Sequence, residues 1–137
     1  MVSVKRFFAL ILLVTFIIST GLVFGADSKV IAYYFHSNVR CLTCHNMEEY
    51  AKEAIEKNFA EELEDGRLVF KTVNVEEKEN EHFVDDYELY TKALVISQIK
   101  DEKESQHKNL AKIWAYVRNK NKFIEYVTSE IKDYLKE

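Results

Sequence analysis

Beyond an apolar stretch at the N-terminus, the first clear hydrophobic run is residues 30–35, whose sequence is VIAYYF. A short β-branched and aromatic run of this kind predicts a strand that is buried on both faces. After the loop 36–40, apolar residues recur at spacings of three and four from Met47 to Phe59. This periodicity predicts an amphipathic helix, and Gly66 marks the turn that follows it.

The next segment predicts a strand and then a short helix. Residues 67–75, RLVFKTVNV, alternate in the manner of a second strand. Asn80 is expected to cap a short helix that has Glu81 in its first turn. Phe83 and Tyr87 would form the inner face of that helix.

The rest of the chain predicts two strands and two helices. Residues 93–97, ALVIS, predict a third strand, the charged residues 100–105 predict a turn, and residues 106–108 predict a short fourth strand. Each of the two helices has an apolar stripe that is expected to pack in the core. The stripes are Leu110, Ile113, Trp114 and Val117, and then Phe123, Val127, Ile131 and Leu135.

The predicted element order is β-α-β-α-β-β-α, with the last helix split in two. A strand, a crossover helix and a parallel strand form a right-handed βαβ unit. The later hairpin adds an antiparallel edge to the same sheet. The sequence therefore predicts an α/β fold with a central mixed four-stranded sheet flanked by helices.

The N-terminus has a basic start followed by an apolar segment. Two basic residues precede residues 7–24, which carry no charge, and two small residues follow at 25 and 26. This is the pattern of a secretory signal peptide, and the apolar run is also long enough to stay as a membrane anchor. We expect residues 1–26 to be that signal peptide or anchor helix. Residues 27–137 would then be one exported domain, periplasmic or otherwise extracytoplasmic, that meets the membrane only through the N-terminal segment.

The charge balance excludes one class of partner. The chain has 19 Lys and Arg residues against 23 Asp and Glu residues, whereas nucleic-acid binding needs a basic face. We therefore expect no nucleic-acid partner. The exported part is large enough for one compact domain and too small for two, and we expect it to be a monomer.

The two cysteines of the chain are Cys41 and Cys44, in the sequence CLTC. Exported proteins meet an oxidising compartment in which cysteines form disulfides. A bridge across so short a loop would stabilise the fold little, because the gain grows with loop length. The pair is therefore better suited to redox chemistry than to a structural role. It lies just past the first predicted strand, where the first helix begins.

The exported domain resembles thioredoxin-fold proteins over almost its whole length. Residues 67–77, RLVFKTVNVEE, are similar to the thioredoxin strand that ends in a hydrophobic-Asn-hydrophobic-acid sequence. More closely, YYFHSNVRCLTC at residues 33–44 and ENEHFVDDYELYTKALVIS at residues 79–97 resemble small exported thioredoxin-like proteins labelled ArsF-type. That label includes the words nitroreductase subunit, but this chain has only 3 glycines and no G-x-G-x-x-G motif for a nucleotide cofactor. We expect no cofactor other than a redox-active disulfide between Cys41 and Cys44.

The resemblance implies thiol–disulfide exchange. Cys41 would attack a partner disulfide, and Cys44 would resolve the mixed disulfide. The helix N-terminus and the cation of Arg40 would lower the pKa of Cys41 and so favour the thiolate, which is the nucleophile. His36 and His45 are candidates to tune Cys41 or to donate a proton to the leaving thiol. The expected partners are protein thiols and disulfides or a membrane redox donor.

Two departures from the thioredoxin pattern concern the surroundings of the dithiol. Thioredoxins carry a cis-proline opposite the dithiol, but this chain contains no proline, and Thr91, Lys92 or Ala93 takes that place. We expect a trans bond there, because a non-proline cis bond costs about 2.5–4 kcal/mol, and we expect Thr91 to take over part of the proline's role. The buried acid that thioredoxins place on the first strand is also missing, and Tyr34 or Phe35 stands in its position.

Two other uses of the same cysteines stay open. With His45 the motif becomes C-x-x-C-H, the attachment pattern of a c-type haem, although a βαβ core offers no evident haem pocket. Alternatively, the two cysteines with His36 or His45 could hold Cu(I) or Zn(II), because soft sulfur ligands favour both metals. The sequence therefore predicts an oxidoreductase first and an extracytoplasmic metal carrier second.

Overall fold

Four strands form one mixed sheet. The computed structural model describes residues 28–136, and the strands are β1 (Ser28–His36), β2 (Leu68–Asn74), β3 (Ala93–Lys100) and β4 (Lys103–Asn109). The strand order is β2-β1-β3-β4, with β1 parallel to β2, β1 antiparallel to β3, and β3 antiparallel to β4. This order and these directions are those of a thioredoxin-like fold. The predicted α/β class and the mixed sheet are therefore confirmed.

The helices follow the predicted order. They are α1 (Leu42–Asn58), α2 (Ala60–Glu64), α3 (His82–Asp86), α4 (Ile113–Tyr116) and α5 (Lys120–Lys136), with a 3-10 turn at Lys78–Asn80. The predicted signal or anchor segment, residues 1–26, lies outside the described residues. Within residues 28–136, no helix has the length and apolar character that a membrane crossing requires.

Strand β1 lies in the middle of the sheet and is apolar on both faces. Val30, Ala32 and Tyr34 are at most 1% exposed and belong to the core shared with α1 and α5. Phe35 is 1% exposed and points to the other face, where its ring lies 5.2 Å from that of Phe83. This double burial confirms the prediction made from the run VIAYYF.

The two long helices cover one face of the sheet. The apolar stripe of α1 recurs at the predicted helical spacing, and Met47 and Ile55 on it are fully buried. The stripe packs against α5, where the ring of Phe123 meets that of Tyr50 edge-on at 5.6 Å between centroids. Because both helices bury a continuous stripe here, α1 is held firmly with its N-terminus at the carboxyl end of β1.

A smaller core lies on the opposite face, under α3. Phe83 of α3 and Tyr87, the C-cap residue of that helix, pack against the sheet there, as predicted. The Tyr87 hydroxyl donates to Glu104 Oε2 at 2.6 Å, and the buried Ser97 hydroxyl donates to the same oxygen at 2.5 Å. Burial alone would raise the pKa of Glu104, but the hydrogen bonds to the carboxylate outweigh burial and hold the pKa below its usual value.

The predicted cap of this short helix was wrong. Helix α3 has Glu81 at its N-cap position, without a side-chain cap bond. Asn80 ends the preceding 3-10 turn, and its Nδ2 donates to the Asn74 carbonyl at 3.0 Å. The side chain of Asn80 therefore stabilises the end of β2 rather than the start of α3.

The hairpin between β3 and β4 is tighter than predicted. Lys100 belongs to β3 and residues 103–105 belong to β4, so that Asp101 and Glu102 alone form the turn. Both have positive φ, 51° and 63°, as in a type I′ turn, whose twist matches that of the strands. The charged residues at 103–105 were predicted as part of the turn, but they belong to β4. Charged side chains are compatible with this strand because it lies at the edge of the sheet and is exposed along its whole length.

Only part of the first apolar stripe in the C-terminal region is buried as predicted. Leu110 and Ile113 are fully buried, but Trp114 is 40% exposed, and its indole N–H donates to the Lys92 carbonyl at 3.1 Å. Helix α4 has 4 residues, so it is too short to keep a four-residue stripe on one face. The second stripe, on α5, is confirmed.

Candidate redox site

Cys41 caps the N-terminus of α1. Its backbone is extended, with φ −86° and ψ 167°, and its Sγ accepts a hydrogen bond from the backbone N–H of Cys44 at 3.4 Å. The thiol thus takes the place that Ser, Thr, Asp or Asn has at many helix starts, beside the unpaired N–H groups of the first turn. Cys41 is also exposed. Its sulfur is therefore accessible to a partner and lies at the positive end of a helix.

Cys44 lies one turn further along α1 and faces the core. It is 2% exposed, and both cysteines are free thiols. The two Sγ atoms are 2.7 Å apart, whereas a disulfide bond is about 2.05 Å long. A small side-chain movement is therefore enough to join them.

The pKa of Cys41 is lowered from that of an ordinary cysteine. The largest cause is the hydrogen bond from the Cys44 thiol, and the next is the backbone N–H of Cys44. Desolvation of the thiol opposes these effects, and the backbone N–H groups of Cys41 and Thr43 add to them. The first turn of α1 and the second thiol together favour the Cys41 thiolate, which is the reactive form.

The alkylation rate of reduced Cys41 is expected to depend on pH with a midpoint below that of free cysteine. Only the thiolate reacts with iodoacetamide, so the rate is high above the pKa of Cys41 and falls as the pH drops through it. In Cys44→Ala the midpoint should move upward, because the thiol that donates to Cys41 is gone. A wild-type midpoint equal to that of free cysteine would contradict the lowered pKa.

Arg40, which we expect to supply a cation beside Cys41, is engaged by a carboxylate of α1. Its guanidinium forms an ion pair with Glu48 of α1, and the Thr72 hydroxyl donates to the other oxygen of that carboxylate at 3.3 Å. The Nε atom of Arg40 is buried and has no hydrogen-bond partner among the described residues. The groups that lower the pKa of Cys41 are the Cys44 thiol and the backbone N–H groups of the first turn.

Tyr34 lies directly beneath the dithiol. Its side chain is fully buried, and its hydroxyl donates to the backbone carbonyl of Cys44 at 2.7 Å. Burial raises the pKa of Tyr34 strongly, the charges of Cys44 and Cys41 raise it further, and the nearby Arg40 opposes them in part. The phenol therefore stays protonated and remains a donor.

The two histidines do not complete a metal site. His45 is exposed on α1, and His36 Nδ1 lies 3.1 Å from the Ser37 carbonyl oxygen. Across residues 28–136, no three His, Cys, Asp or Glu side chains are grouped so as to hold a metal ion. The predicted metal set of Cys41, Cys44 and His36 is thus not brought together as one cluster.

Thr91 lies in the loop that leads into β3. It is exposed and lines a cavity of about 170 Å³, together with His36 and residues from the end of β1 and the loop 89–92. The peptide bonds of residues 28–136 are all trans, as expected where Thr91, Lys92 or Ala93 takes the place of the proline. The cavity lies at the carboxyl end of β1, the same end of the sheet at which α1 begins.

Among residues 28–136, three apolar side chains are highly exposed, and two of them lie within two residues of Cys41 in the chain. Val39 is 80% exposed and Leu42 is 77% exposed, and the two flank Arg40 and Cys41 in the chain. Tyr90, in the loop before β3, is 94% exposed. We call Val39 and Leu42 the apolar rim of Cys41.

Two parts of this arrangement were not predicted. Glu48 lies on α1 and its partner Arg40 lies before the helix, so helical spacing alone does not indicate this contact. Tyr34 is two residues after Ala32 and lies on the same face of β1, the face that α1 covers. This strand period could have placed the Tyr34 side chain below the helix. Which groups the Tyr34 hydroxyl and the Glu48 carboxylate contact, however, depends on how α1 crosses the sheet.

Comparisons with solved structures find thioredoxins. The chain is similar to a Fasciola hepatica thioredoxin, with 24% identity and a TM-score of 0.42, over 74% of this chain and 80% of that chain. It is also similar to a Trypanosoma brucei brucei thioredoxin, with 16% identity and a TM-score of 0.43, over 95% of this chain and 87% of that chain. A mutant of an Entamoeba histolytica thioredoxin matches with 17% identity and a TM-score of 0.45, over 76% and 84% of the two chains.

No family model and no curated protein matches the chain. At these identities and scores, the fold assignment rests on the order and directions of the four strands themselves.

Proposed function

We propose that this protein is an exported thiol–disulfide oxidoreductase. The observation that carries the proposal is the pair of free thiols at the N-terminus of α1. Cys41 is exposed and has a lowered pKa, while Cys44 is buried with its sulfur 2.7 Å away. An accessible thiolate with a second thiol poised behind it is the arrangement that exchange requires.

The exchange proceeds in two balanced steps. The Cys41 thiolate attacks one sulfur of a partner disulfide, so that a mixed disulfide forms and the other partner sulfur leaves as a thiolate. Cys44 then loses its proton and attacks Cys41 Sγ, which forms the Cys41–Cys44 disulfide and releases the second partner sulfur. Two electrons pass to the partner, and the two released thiolates take up protons. With an oxidised Cys41–Cys44 pair and a reduced partner, the same steps run in reverse.

The compartment and the partner of the reaction are inferred from the N-terminal sequence and from the exposed side chains near Cys41. The basic and apolar N-terminus supports export, and the resemblance to ArsF-type proteins supports the same compartment. The partner is a protein thiol or disulfide, or a membrane redox donor. The apolar rim beside Cys41 supports a protein partner, because Val39 and Leu42 offer contact area next to the reactive sulfur.

A redox titration of the full chain tests this function. The protein is equilibrated with mixtures of reduced and oxidised glutathione, and its free thiols are then counted by alkylation and mass spectrometry. We expect one reversible transition in which both thiols disappear together, with a tenfold change in the ratio of oxidised to reduced protein for about every 30 mV of the glutathione potential. Thiols that stay reduced, or a disulfide that stays closed, at every ratio would contradict the proposal.

A further inference from the structure

We propose that Tyr34 is a positioning residue for the resolving cysteine: its hydroxyl ties the first turn of α1 to strand β1 and so holds Cys44 Sγ facing Cys41 Sγ. The inference deepens the proposed thiol–disulfide exchange and rests on it. Tyr34 would touch neither partner nor reacting sulfur, and it would act through the backbone of Cys44.

The contact is direct and is sheltered from water. The Tyr34 side chain is 0% exposed, and its hydroxyl reaches the Cys44 carbonyl oxygen at 2.7 Å across 10 residues of sequence. Burial keeps the phenol protonated, because it raises the pKa of Tyr34. The donor is therefore present at any pH at which the thiols react.

The hydrogen bond is not needed to build the helix. Inside an α-helix each carbonyl already accepts the N–H of the residue four positions later, which for Cys44 is the N–H of Glu48. The phenol adds a second donor to that carbonyl. If the hydroxyl is removed in Tyr34→Phe, the carbonyl keeps its helical partner and the ring still fills the core. The substitution thus removes the hydrogen bond to Cys44 and keeps the packing of the ring in the core.

Charged neighbours hold the same region together. Arg40, just before the cap of α1, pairs with Glu48 in the second turn, and Thr72 of β2 donates to Glu48 at 3.3 Å. Arg40 also lies close enough to Tyr34 to influence its pKa. The loop before α1, the helix itself and the two parallel strands are thereby joined around Cys44. Tyr34 is the member of this group that contacts a cysteine.

Loss of the tie should affect both the equilibrium and the reactivity of the dithiol. The intramolecular attack of Cys44 on Cys41 depends on pre-set geometry, which carries much of the advantage of any intramolecular reaction. A looser Cys44 closes the disulfide less readily and donates less well to the Cys41 thiolate. In Tyr34→Phe the loss of pre-set geometry should make the disulfide easier to reduce. The pKa of Cys41 should also move back toward that of free cysteine, which by itself favours the disulfide and offsets only part of the first effect.

The test compares Tyr34→Phe with Tyr87→Phe in the full chain. Tyr87 is the matched control, because its hydroxyl also makes a hydrogen bond, 2.6 Å to Glu104, but on the opposite face of the sheet. We expect Tyr34→Phe to lower the equilibrium constant for disulfide formation against glutathione about 2- to 10-fold, as the loss of one hydrogen bond of typical strength predicts. The midpoint of Cys41 alkylation with pH should also rise in Tyr34→Phe. Tyr87→Phe should change neither quantity.

Each outcome decides a separate question. If the wild-type chain shows no reversible redox transition, the proposed function itself is wrong. If the wild type titrates and Tyr34→Phe titrates identically, or if Tyr87→Phe shifts by the same amount, the inference is wrong while the function stands. Failure of Tyr34→Phe to fold, judged by circular dichroism, would also overturn the inference, because the hydroxyl would then serve the fold and not the dithiol.

Discussion

Replacing Cys41 with serine is expected to abolish disulfide exchange and leave the fold intact. A serine hydroxyl is not ionised near neutral pH and cannot form the mixed disulfide, so the rate of reduction of a disulfide substrate should fall to the uncatalysed background. Cys41 is the N-cap of α1, and serine is among the preferred N-cap residues. The substitution therefore removes the nucleophile and keeps the helix cap.

The measurement is the reduction of a fluorescent disulfide peptide, with circular dichroism to check the fold. Cys44→Ser is the matched control: it keeps the attacking thiol and lacks the resolving one. It should accumulate a mixed disulfide with glutathione that mass spectrometry detects on Cys41. Full exchange activity in Cys41→Ser would exclude the proposed mechanism.

Replacing Phe123 with alanine is expected to destabilise the protein by about 3–5 kcal/mol, the usual cost of emptying a buried aromatic site. Phe123 is 0% exposed, and its ring contacts Tyr50 of α1 edge-on at 5.6 Å. It thus connects α5 with the helix that carries the dithiol. Since small domains have about 5–15 kcal/mol of total stability, this loss is a large part of what is available.

Chemical denaturation measures this effect as a lower midpoint with an unchanged slope. Lys132→Ala is the control on the same helix: Lys132 is exposed, and surface substitutions of this kind usually change stability by about 0.5 kcal/mol or less. Equal stability of the two variants would show that the contact between α1 and α5 does not support the fold.

Periodicity along the chain predicted the main elements well. Residues 30–35 and the stripe around Met47 follow strand and helix spacing so clearly that β1 and α1 were placed correctly. The weaker elements were placed less well. The charged residues of β4 masked a strand, because an edge strand takes its hydrogen bonds from one neighbour and can leave its side chains in water.

The errors at Asn80 and Trp114 share one physical cause. Asn80 and Trp114 were assigned from their immediate sequence neighbours, but each is held by a carbonyl outside the helix to which it was assigned. Asn80 donates to the Asn74 carbonyl, and Trp114 donates to the Lys92 carbonyl. Short helices such as α3 and α4 gain little from their own hydrogen bonds, so tertiary contacts decide where their side chains point.

The sequence by itself determined that two cysteines stand at the start of a helix that follows a buried strand. That much depends on spacing along the chain, and spacing is visible without coordinates. Only the tertiary structure decided that Arg40 turns to Glu48, that Tyr34 reaches the Cys44 carbonyl, and that His36 is not grouped with the thiols as a metal site. These contacts depend on how α1 lies across β1 and β2, which is set by the packing of side chains from all over the core.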